Sequence, residues 1–423
     1  MKVLWITNDV IESFYPFVEG KPTKGGSWVE SLYFALNKYS SIELGILTPV
    51  LDGNIQKIIQ NNIIYYTIPI NKKSKKNYLS KELSEHYLAQ IYDFEPDIIH
   101  IHGTELNFGL IAKLVPLLPV VCSIQGIISC YMPYLKSSVA NIDINRFKSL
   151  KNWLFYGGVN GFYTNWNKYS IIEKEIYKNN KYFIGRTNWD RAQLKALNPN
   201  AHYFHGEELL RNAFYKTQWD LLTCKRETIF FSSAAYSVKG LHVLLKAVNL
   251  LKTKYPNILV NVPLSQIKNK LTLRERFFGE DYTIYLGYLI RKFNLEKNIN
   301  FFKRLNAQAM AEQYKSNHIF VLASFIENSP NSLGESMLVG CPTITSFVGG
   351  IGSIVKDEES TLMFPSGDSN FLAYQIDRMF SNDELAQKLS VNAKKIAEKR
   401  HHIKGASSQY QNIYENIVYN NRI

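Results

Sequence analysis

The sequence predicts an α/β protein made of two doubly wound parallel-sheet domains. Three observations predict it: a length of 423 residues, an alternation of short apolar runs with longer helical stretches, and a pause in that alternation near mid-chain. A chain this long exceeds one ordinary core by the usual size of domains. A composition of 46% hydrophobic and 20% charged residues, with 27 Tyr and 24 Phe, suits two filled cores and excludes a disordered or fibrous chain.

In the first half the strand-like runs are Lys2–Thr7, Ile42–Thr48, Asn62–Ile68, Asp97–His102, Val120–Gln125 and Tyr182–Gly185. Each is nearly all apolar, as strands covered on both faces are. The second half continues with Thr228–Ser233, Ile258–Pro263, Ile299–Lys303, Ile319–Ser324, Thr343–Phe347 and Thr361–Phe364. Helical patterns such as Gly240–Tyr255 and Ala307–Lys315 lie between them. Strand–helix alternation implies parallel sheets wound through right-handed crossovers. These twelve runs are too many for one such sheet, so the division falls in Lys216–Arg226, giving domains 1–215 and 216–402.

The longest apolar run, Leu114 to Ile128, contains Pro116, Pro119 and Gln125 and is shorter than a bilayer span requires. Val3-Leu4-Trp5-Ile6 opens the chain with no basic leader or cleavage site ahead of it, which reads as a cytoplasmic protein. Cys122, Cys130, Cys224 and Cys341 show no metal spacing and no disulfide framework. Forty-nine Lys and Arg against 36 Asp and Glu leave a charge of +13, which favours an anionic partner: nucleic acid, acidic lipid or a phosphorylated small molecule. No zinc-finger or helix-turn-helix pattern accompanies the charge, so nucleic acid is set aside. Lys72, Lys73, Lys75, Lys76 and Lys81 make a solvated loop, while Arg146–Tyr156 mixes Arg146, Lys148 and Lys151 with Phe147, Leu150, Trp153 and Leu154. As a helix, that stretch either lies on an anionic membrane surface or closes the core of the first domain.

Four places carry candidate chemistry. Gly25-Gly26 precede Ser27 and Glu30, which have capping-box spacing, so a helix begins near Trp28. The glycines are either a plain turn or a helix N-terminus stripped for phosphate. In Asp97-Ile98-Ile99-His100-Ile101-His102-Gly103 the two histidines share a strand face, and His102 stands at the strand's carboxyl end as core residue or ligand contact. Lys239, before Gly240 at a helix start, opposes the positive end of the helix dipole unless an anion or solvent takes its charge. Last, Glu327-Asn328-Ser329-Pro330-Asn331-Ser332-Leu333-Gly334-Glu335 sets two carboxylates across a strand-to-helix turn. Ser332 and Glu335 fit a capping box, yet a cap leaves Glu327 at a strand exit unexplained, where a carboxylate suits sugar or ribose hydroxyls.

With these residues the sequence resembles the family-4 glycosyltransferases of GT-B fold: two Rossmann-like domains facing a central cleft. The match is Glu327-x7-Glu335, followed by Met337-Leu338-Val339-Gly340-Cys341-Pro342 and Val348-Gly349-Gly350, together with Lys239-Gly240, His102-Gly103 and Gly25-Gly26. Gly185-Arg186-Thr187-Asn188-Trp189-Asp190 and Glu208-Leu209-Leu210-Arg211 resemble a bacterial polysaccharide-assembly subgroup. The resemblance implies sugar transfer from a nucleotide diphosphate donor, with retention, no metal and no other cofactor. It implies uridine as the base, a glycan or lipid-linked acceptor, and a last helix near 403–423 that crosses back to the first domain. Glu327 would then contact donor-sugar hydroxyls and Glu335 the ribose. Amides of Asn331, Ser332 and Leu333 would line the sugar and phosphates, Lys239 would neutralise the diphosphate, His102 would sit by the sugar, and Gly25 and Gly26 would face the phosphates.

Ser233-Ala234 stand where the family often has Gly-Arg, so one diphosphate cation is missing, and Arg304 or Arg186 are the substitutes in reach of the pattern. Gln125 replaces a frequent His and Lys303 a frequent Gly. The rival readings are an epimerase or phosphorylase of the same fold, or a binding subunit without turnover; intact Glu327, Glu335 and Lys239 oppose the latter.

Overall fold

The structure is a computed structural model, and it describes every residue except 22–26, 61–62, 72–78, 138, 140–145, 155–157, 265–276, 279 and 423. The chain divides into two compact units, one of residues 1–130, 168–211 and 401–423, the other of 131–167 and 212–400.

The first unit opens with β1 (Lys2–Ile6), α1 (Ser27–Tyr39), β2 (Glu43–Leu51), β3 (Gln56–Gln60), β4 (Ile63–Ile70), α2 (Lys81–Phe94), β5 (Ile98–His102) and β6 (Val120–Ser123). The chain leaves through α3 (Ile128–Ser137) and α4 (Leu150–Leu154) and returns along α5 (Gly158–Asn179) to β7 (Tyr182–Gly185), α6 (Asn188–Leu197) and β8 (His202–His205). Among the described residues the sheet order is β3-β4-β2-β1-β5-β6-β7-β8. All neighbours are parallel except the β3–β4 hairpin. β1 explains why its strand reads as continuously apolar. Val3 and Trp5 enter one core, whereas Leu4 and Ile6 enter another with Tyr87, Ile91 and Phe94 of α2.

The second unit runs α7 (Asn212–Lys216), β9 (Lys225–Phe230), α8 (Leu241–Leu251), β10 (Leu259–Pro263), α9 (Asp281–Lys292), β11 (Ile299–Phe302) and α10 (Ala307–Ser316). It continues through β12 (Asn317–Leu322), α11 (Asn331–Val339), β13 (Thr343–Ser346), β14 (Leu362–Phe364), α12 (Ser369–Ser381) and α13 (Asp383–Arg400). Its sheet is all parallel, in the order β11-β10-β9-β12-β13-β14. α14 (Ile403–Arg422) then joins the first unit, where Tyr410, Ile413, Tyr414 and Ile417 enter the Val3–Trp5 core. The Trp5 indole N–H donates to the Tyr414 hydroxyl at 3.1 Å, fixing that helix to β1.

The doubly wound parallel sheets expected from the sequence are present, with three differences. β3 and β8 are additional edge strands. Edge strands are half exposed and mix polar with apolar residues, so they carry no apolar run to detect. The helix after Gly26 starts at Ser27, one residue ahead of the expected Trp28, and the Glu30 carboxylate accepts from the Ser13 amide at 3.0 Å. Third, residues 131–167 group with the second unit, not the first. Phe147 stacks near Tyr285 and Tyr288 of α9, and Asp281 accepts from the Ser149 amide and the Asn152 amide group, each at 2.9 Å. Such anchors depend on residues far away in sequence, and nothing local marks them. Among the described residues no helix is long and apolar enough to cross a membrane.

Candidate active site

In an open α/β sheet, ligands bind outside the carboxyl ends of the strands where the winding reverses. In the second unit the chain goes outward from β9 through β10 to β11, then restarts at β12 beside β9. The reversal point therefore lies between β9 and β12. Lys239 follows β9 and Glu327 follows β12, so the two residues singled out separately by the sequence meet there. The Lys239 ammonium lies 2.6 Å from Glu327 Oε1, and the Ser324 hydroxyl donates to the same oxygen at 2.7 Å. Glu327 is 6% exposed and the Lys239 side chain 29%. Lys239 is thus neither a solvated lysine nor a lysine facing a helix dipole alone; it sits in a short 3-10 turn, Ser237–Lys239, ahead of α8.

Backbone geometry sets this pair. Gly240 has φ +79°, and a side chain there would collide with the Ala323 carbonyl oxygen. The Phe325 amide donates to the Val238 carbonyl at 2.8 Å, tying the two strand exits together. Gly349, at φ +48°, passes so close to the Glu327 carbonyl that a Cβ could not fit, and the Gly350 amide donates to that carbonyl at 3.0 Å. The Val-Gly-Gly segment hence clamps the main chain of Glu327. The Ser346 hydroxyl holds the Ser324 carbonyl at 2.5 Å in the same way.

A pocket beside the pair is lined by Ser232, Ser233, Lys239, Ser324 and Ser332. It opens toward α11, whose N-cap is Pro330 with no side-chain cap bond. Ser332 is therefore inside the helix and cannot serve as a capping residue, so the capping-box reading of Ser332 and Glu335 does not hold. The first amides of a helix have no acceptor within it, which leaves Asn331 and Ser332 as donors at this end. The Leu333 amide instead turns to the Pro330 carbonyl at 3.0 Å, and its side chain is fully buried. Glu335 is 5% exposed and accepts from the Tyr314 hydroxyl of α10 at 3.2 Å. Burial, and then the Glu335 carboxylate, push the Tyr314 phenol well above its ordinary pKa, so it stays a neutral donor.

Arg304 is exposed after β11, two strands from β9, about 10 Å away at ordinary strand spacing. It does not line the pocket beside the Lys239–Glu327 pair. Arg186, the other substitute, lies in the first unit directly after β7. It is 4% exposed within the first unit, its guanidinium pairs with Glu208, and it donates to Gln125 Oε1 and the Ile124 carbonyl, each at 2.8 Å. Gly25 and Gly26 lie outside the described residues.

In the first unit the winding reverses between β1 and β5, and His102 ends β5. His100 is a satisfied core residue, bonded to the Tyr414 hydroxyl and the Ser123 hydroxyl at 2.7 Å each. His102 differs: it is 3% exposed, and its Nε2 has no partner among the described residues. Burial holds its pKa down to about 3, so the ring is neutral. Ser324 and Tyr314 are the site residues that sequence reasoning missed, and neither carried a signal. Gly349 was quoted only as part of the family match, and its close passage over the Glu327 carbonyl is what the structure adds. Among the described residues no cluster of three or more His, Cys, Asp and Glu is placed to hold a metal.

Two doubly wound parallel-sheet units give the chain the GT-B architecture. Residues 219–396, within the second unit, match the family of glycosyl transferases, group 1. The Bacillus subtilis protein YtcC, which has a provisional glycosyltransferase name, is 25% identical over 199 residues, 46% of this chain and 46% of its own. An uncharacterized glycosyltransferase of Methanocaldococcus jannaschii is 24% identical over 135 residues, 32% of this chain and 35% of its own. The match thus spans about half the length of these curated relatives, or less. Among solved structures, sucrose-phosphate synthase from Thermosynechococcus elongatus aligns with a TM-score of 0.72 at 16% identity over 99% of both chains. Anabaena HepE in complex with UDP-glucose aligns with a TM-score of 0.67 at 14% identity, over 98% of this chain and all of that one. At such identities the likeness establishes the shared fold.

Proposed function

We propose that the protein transfers a sugar, with retention, from a nucleoside diphosphate donor to a glycan or lipid-linked acceptor in bacterial surface polysaccharide synthesis, at the cytoplasmic side of the membrane. The observation that carries the reading is the Lys239–Glu327 pair at the reversal point of a group 1 glycosyl transferase domain. A diphosphate arriving beside Lys239 exchanges for Glu327 as the partner of the ammonium. That exchange frees the carboxylate to accept hydrogen bonds from donor-sugar hydroxyls. As the glycosidic bond breaks, charge builds on the leaving phosphate. Lys239 and the amides of Asn331 and Ser332 are preorganised to stabilise it. Glu335, held by Tyr314, serves the ribose hydroxyls, and His102 meets the sugar. The complex of HepE with UDP-glucose supports a uridine donor. Screening hydrolysis and transfer over a panel of nucleotide sugars tests the reading; an absence of turnover and of nucleoside diphosphate binding across the panel refutes it.

Because helix amides and Lys239 take the place of a cation, activity is expected to survive EDTA. The check is transfer rate before and after chelation, and a strict requirement for added Mg2+ or Mn2+ contradicts this step.

Membrane contact is also expected, with its place revised. Of the Lys72–Lys81 cluster, Lys72, Lys73, Lys75 and Lys76 lie outside the described residues, and Lys81 opens α2 instead of lying in a loop. In the basic aromatic stretch Phe147 is anchored on α9, whereas Leu150, Trp153 and Leu154 are 42%, 67% and 56% exposed beside Lys148 and Lys151. These side chains of α4 belong to the second unit, and they suit an interfacial apolar patch with flanking lysines, each worth about 1 kcal/mol near anionic headgroups. Co-sedimentation with anionic vesicles at low salt, lost with neutral vesicles or at high salt, is the expected outcome. Failure to bind anionic vesicles at low salt makes a water-soluble acceptor the better reading.

A further inference from the structure

The second sheet runs β9-β12-β13, so the strand exits that carry Lys239, Glu327 and Phe347 follow one another along its carboxyl edge, about 4.8 Å apart per strand. Phe347 directly follows β13 and is 68% exposed. Single exposed apolar residues are ordinary on a protein surface, but this one is held in place. Its amide donates to the Phe364 carbonyl at 3.0 Å, and its ring lies over Gly352, where an added Cβ would stand 3.2 Å from it. Gly352 belongs to a 3-10 turn, Ile351–Ser353, so backbone supports the ring from one side and leaves the rest to solvent. Between ring and turn, Gly349 passes over the Glu327 carbonyl, and the Gly350 amide donates to it. The segment that presents the ring is the one that fixes the main chain of Glu327.

The order of the exits decides what reaches that ring. Glu335 accepts from the Tyr314 hydroxyl, and Tyr314 packs edge-on against Phe230 of β9. Lys239 also follows β9. A nucleoside diphosphate held by Glu335 and Lys239 therefore occupies the β9 side of Glu327. The part of the donor farthest from the nucleoside falls on the β13 side, and that part is the sugar. A pyranose carries hydroxyls round its rim and C–H bonds on its faces. The hydroxyls suit a carboxylate, and the C–H face suits the electron-rich face of an aromatic ring. Ligand sites pair broad apolar contact with a few polar groups that set orientation; Phe347 and Glu327 supply one of each. A nucleobase is the other flat partner for an aromatic ring, but a base at Phe347 would carry its ribose away from Glu335.

We propose that Phe347 is the stacking platform for the transferred sugar, its open face lying against the C–H face of a pyranose whose hydroxyls bind Glu327. The inference rests on the transferase reading above and deepens it: the donor is a nucleoside diphosphate pyranose, recognised by ring contact on the side away from the nucleoside.

The test uses the full chain. UDP, UDP-glucose, UDP-galactose and UDP-N-acetylglucosamine are titrated by calorimetry into wild type, Phe347→Tyr, Phe347→Leu and Phe347→Ala, with thermal unfolding measured alongside. Phe347→Tyr keeps the ring, and Phe347→Leu keeps apolar bulk without it. For at least one UDP-sugar, affinity is expected to fall at least tenfold in Phe347→Ala and Phe347→Leu and less than threefold in Phe347→Tyr. UDP affinity stays within twofold throughout. Phe347→Trp adds a second readout: indole emission changes beyond that of wild type with the UDP-sugar and not with UDP. The platform is overturned if a folded Phe347→Ala binds every UDP-sugar within twofold of wild type, if UDP affinity falls by the same factor, or if Phe347→Leu matches Phe347→Tyr. Any of these results with UDP still bound by wild type sinks the platform and leaves the transferase reading. If wild type binds neither UDP nor any UDP-sugar, the transferase reading fails and the platform falls with it.

Discussion

Glu327→Ala is expected to yield a folded protein whose sugar transfer falls at least ~10²-fold, the scale seen when one preorganised transition-state contact is removed. Two losses add up. The substitution removes the acceptor for donor-sugar hydroxyls, and it releases Lys239, whose ammonium is positioned by Glu327 Oε1 at 2.6 Å. Folding survives because the released ammonium is not sealed in the interior; at 29% side-chain exposure it can be hydrated. The pair's loss therefore costs about 1–2 kcal/mol, between the value of a surface ion pair and that of a buried one. The Ser324 hydroxyl, fully buried, loses its acceptor as well, so Glu327→Gln is the informative companion. It keeps an oxygen for Ser324 and removes only the charge. Rates under saturating donor, with thermal unfolding measured alongside, decide the matter. At least half the wild-type rate in a folded Glu327→Ala protein would remove the residue from its assigned role.

The parts of the fold legible in the sequence were those whose physics is local. Strands such as β1, β5 and β12 are covered on both faces and are mostly apolar, so their runs stand out. β3 and β8 lie at sheet edges, and Gln56-Lys57-Ile58-Ile59-Gln60 alternates in exposure and holds only two apolar residues, which hid it from a search for apolar runs. At the site, Lys239 was visible as a charge misplaced against a helix dipole. Its partner lies 88 residues away and became identifiable only once β9 and β12 were neighbours. Ser332 and Glu335 gave a false capping signal. Pro330 takes the N-cap position at φ −71°, the value its ring imposes, which leaves Ser332 two positions past the cap. Ser324 and Tyr314 carry no signal at all, since a buried hydroxyl that orients a carboxylate looks like any other core residue until the chain is folded. The segment 131–167 shows the same limit at domain scale: its apolar residues announce burial but not against which unit.

Lys239→Ala is expected to lose ~2.7–4 kcal/mol of transition-state stabilisation, about 10²–10³ in rate, together with weaker binding of the nucleoside diphosphate. The two readouts separate the proposed role from a structural one. If Lys239 only held Glu327 in place, its removal would disturb sugar recognition, yet UDP affinity would stay as in wild type, because Ser324 still binds Glu327 Oε1 at 2.7 Å. If it takes up the diphosphate, UDP affinity falls, and falls more steeply at low salt, where an exposed-edge cation is least screened. The pair also predicts coupling. Residues in direct contact lose shared energy only once, so Lys239→Ala combined with Glu327→Ala should cost less than the sum of the single effects. Lys239→Arg restores charge but presents a wider, planar group where Lys239 meets one carboxylate oxygen, and it is expected to recover UDP binding more fully than rate. Unchanged rate and unchanged UDP affinity in Lys239→Ala would leave the ammonium a mere companion of Glu327, and the charge on the leaving phosphate would then fall to the amides of Asn331 and Ser332 alone.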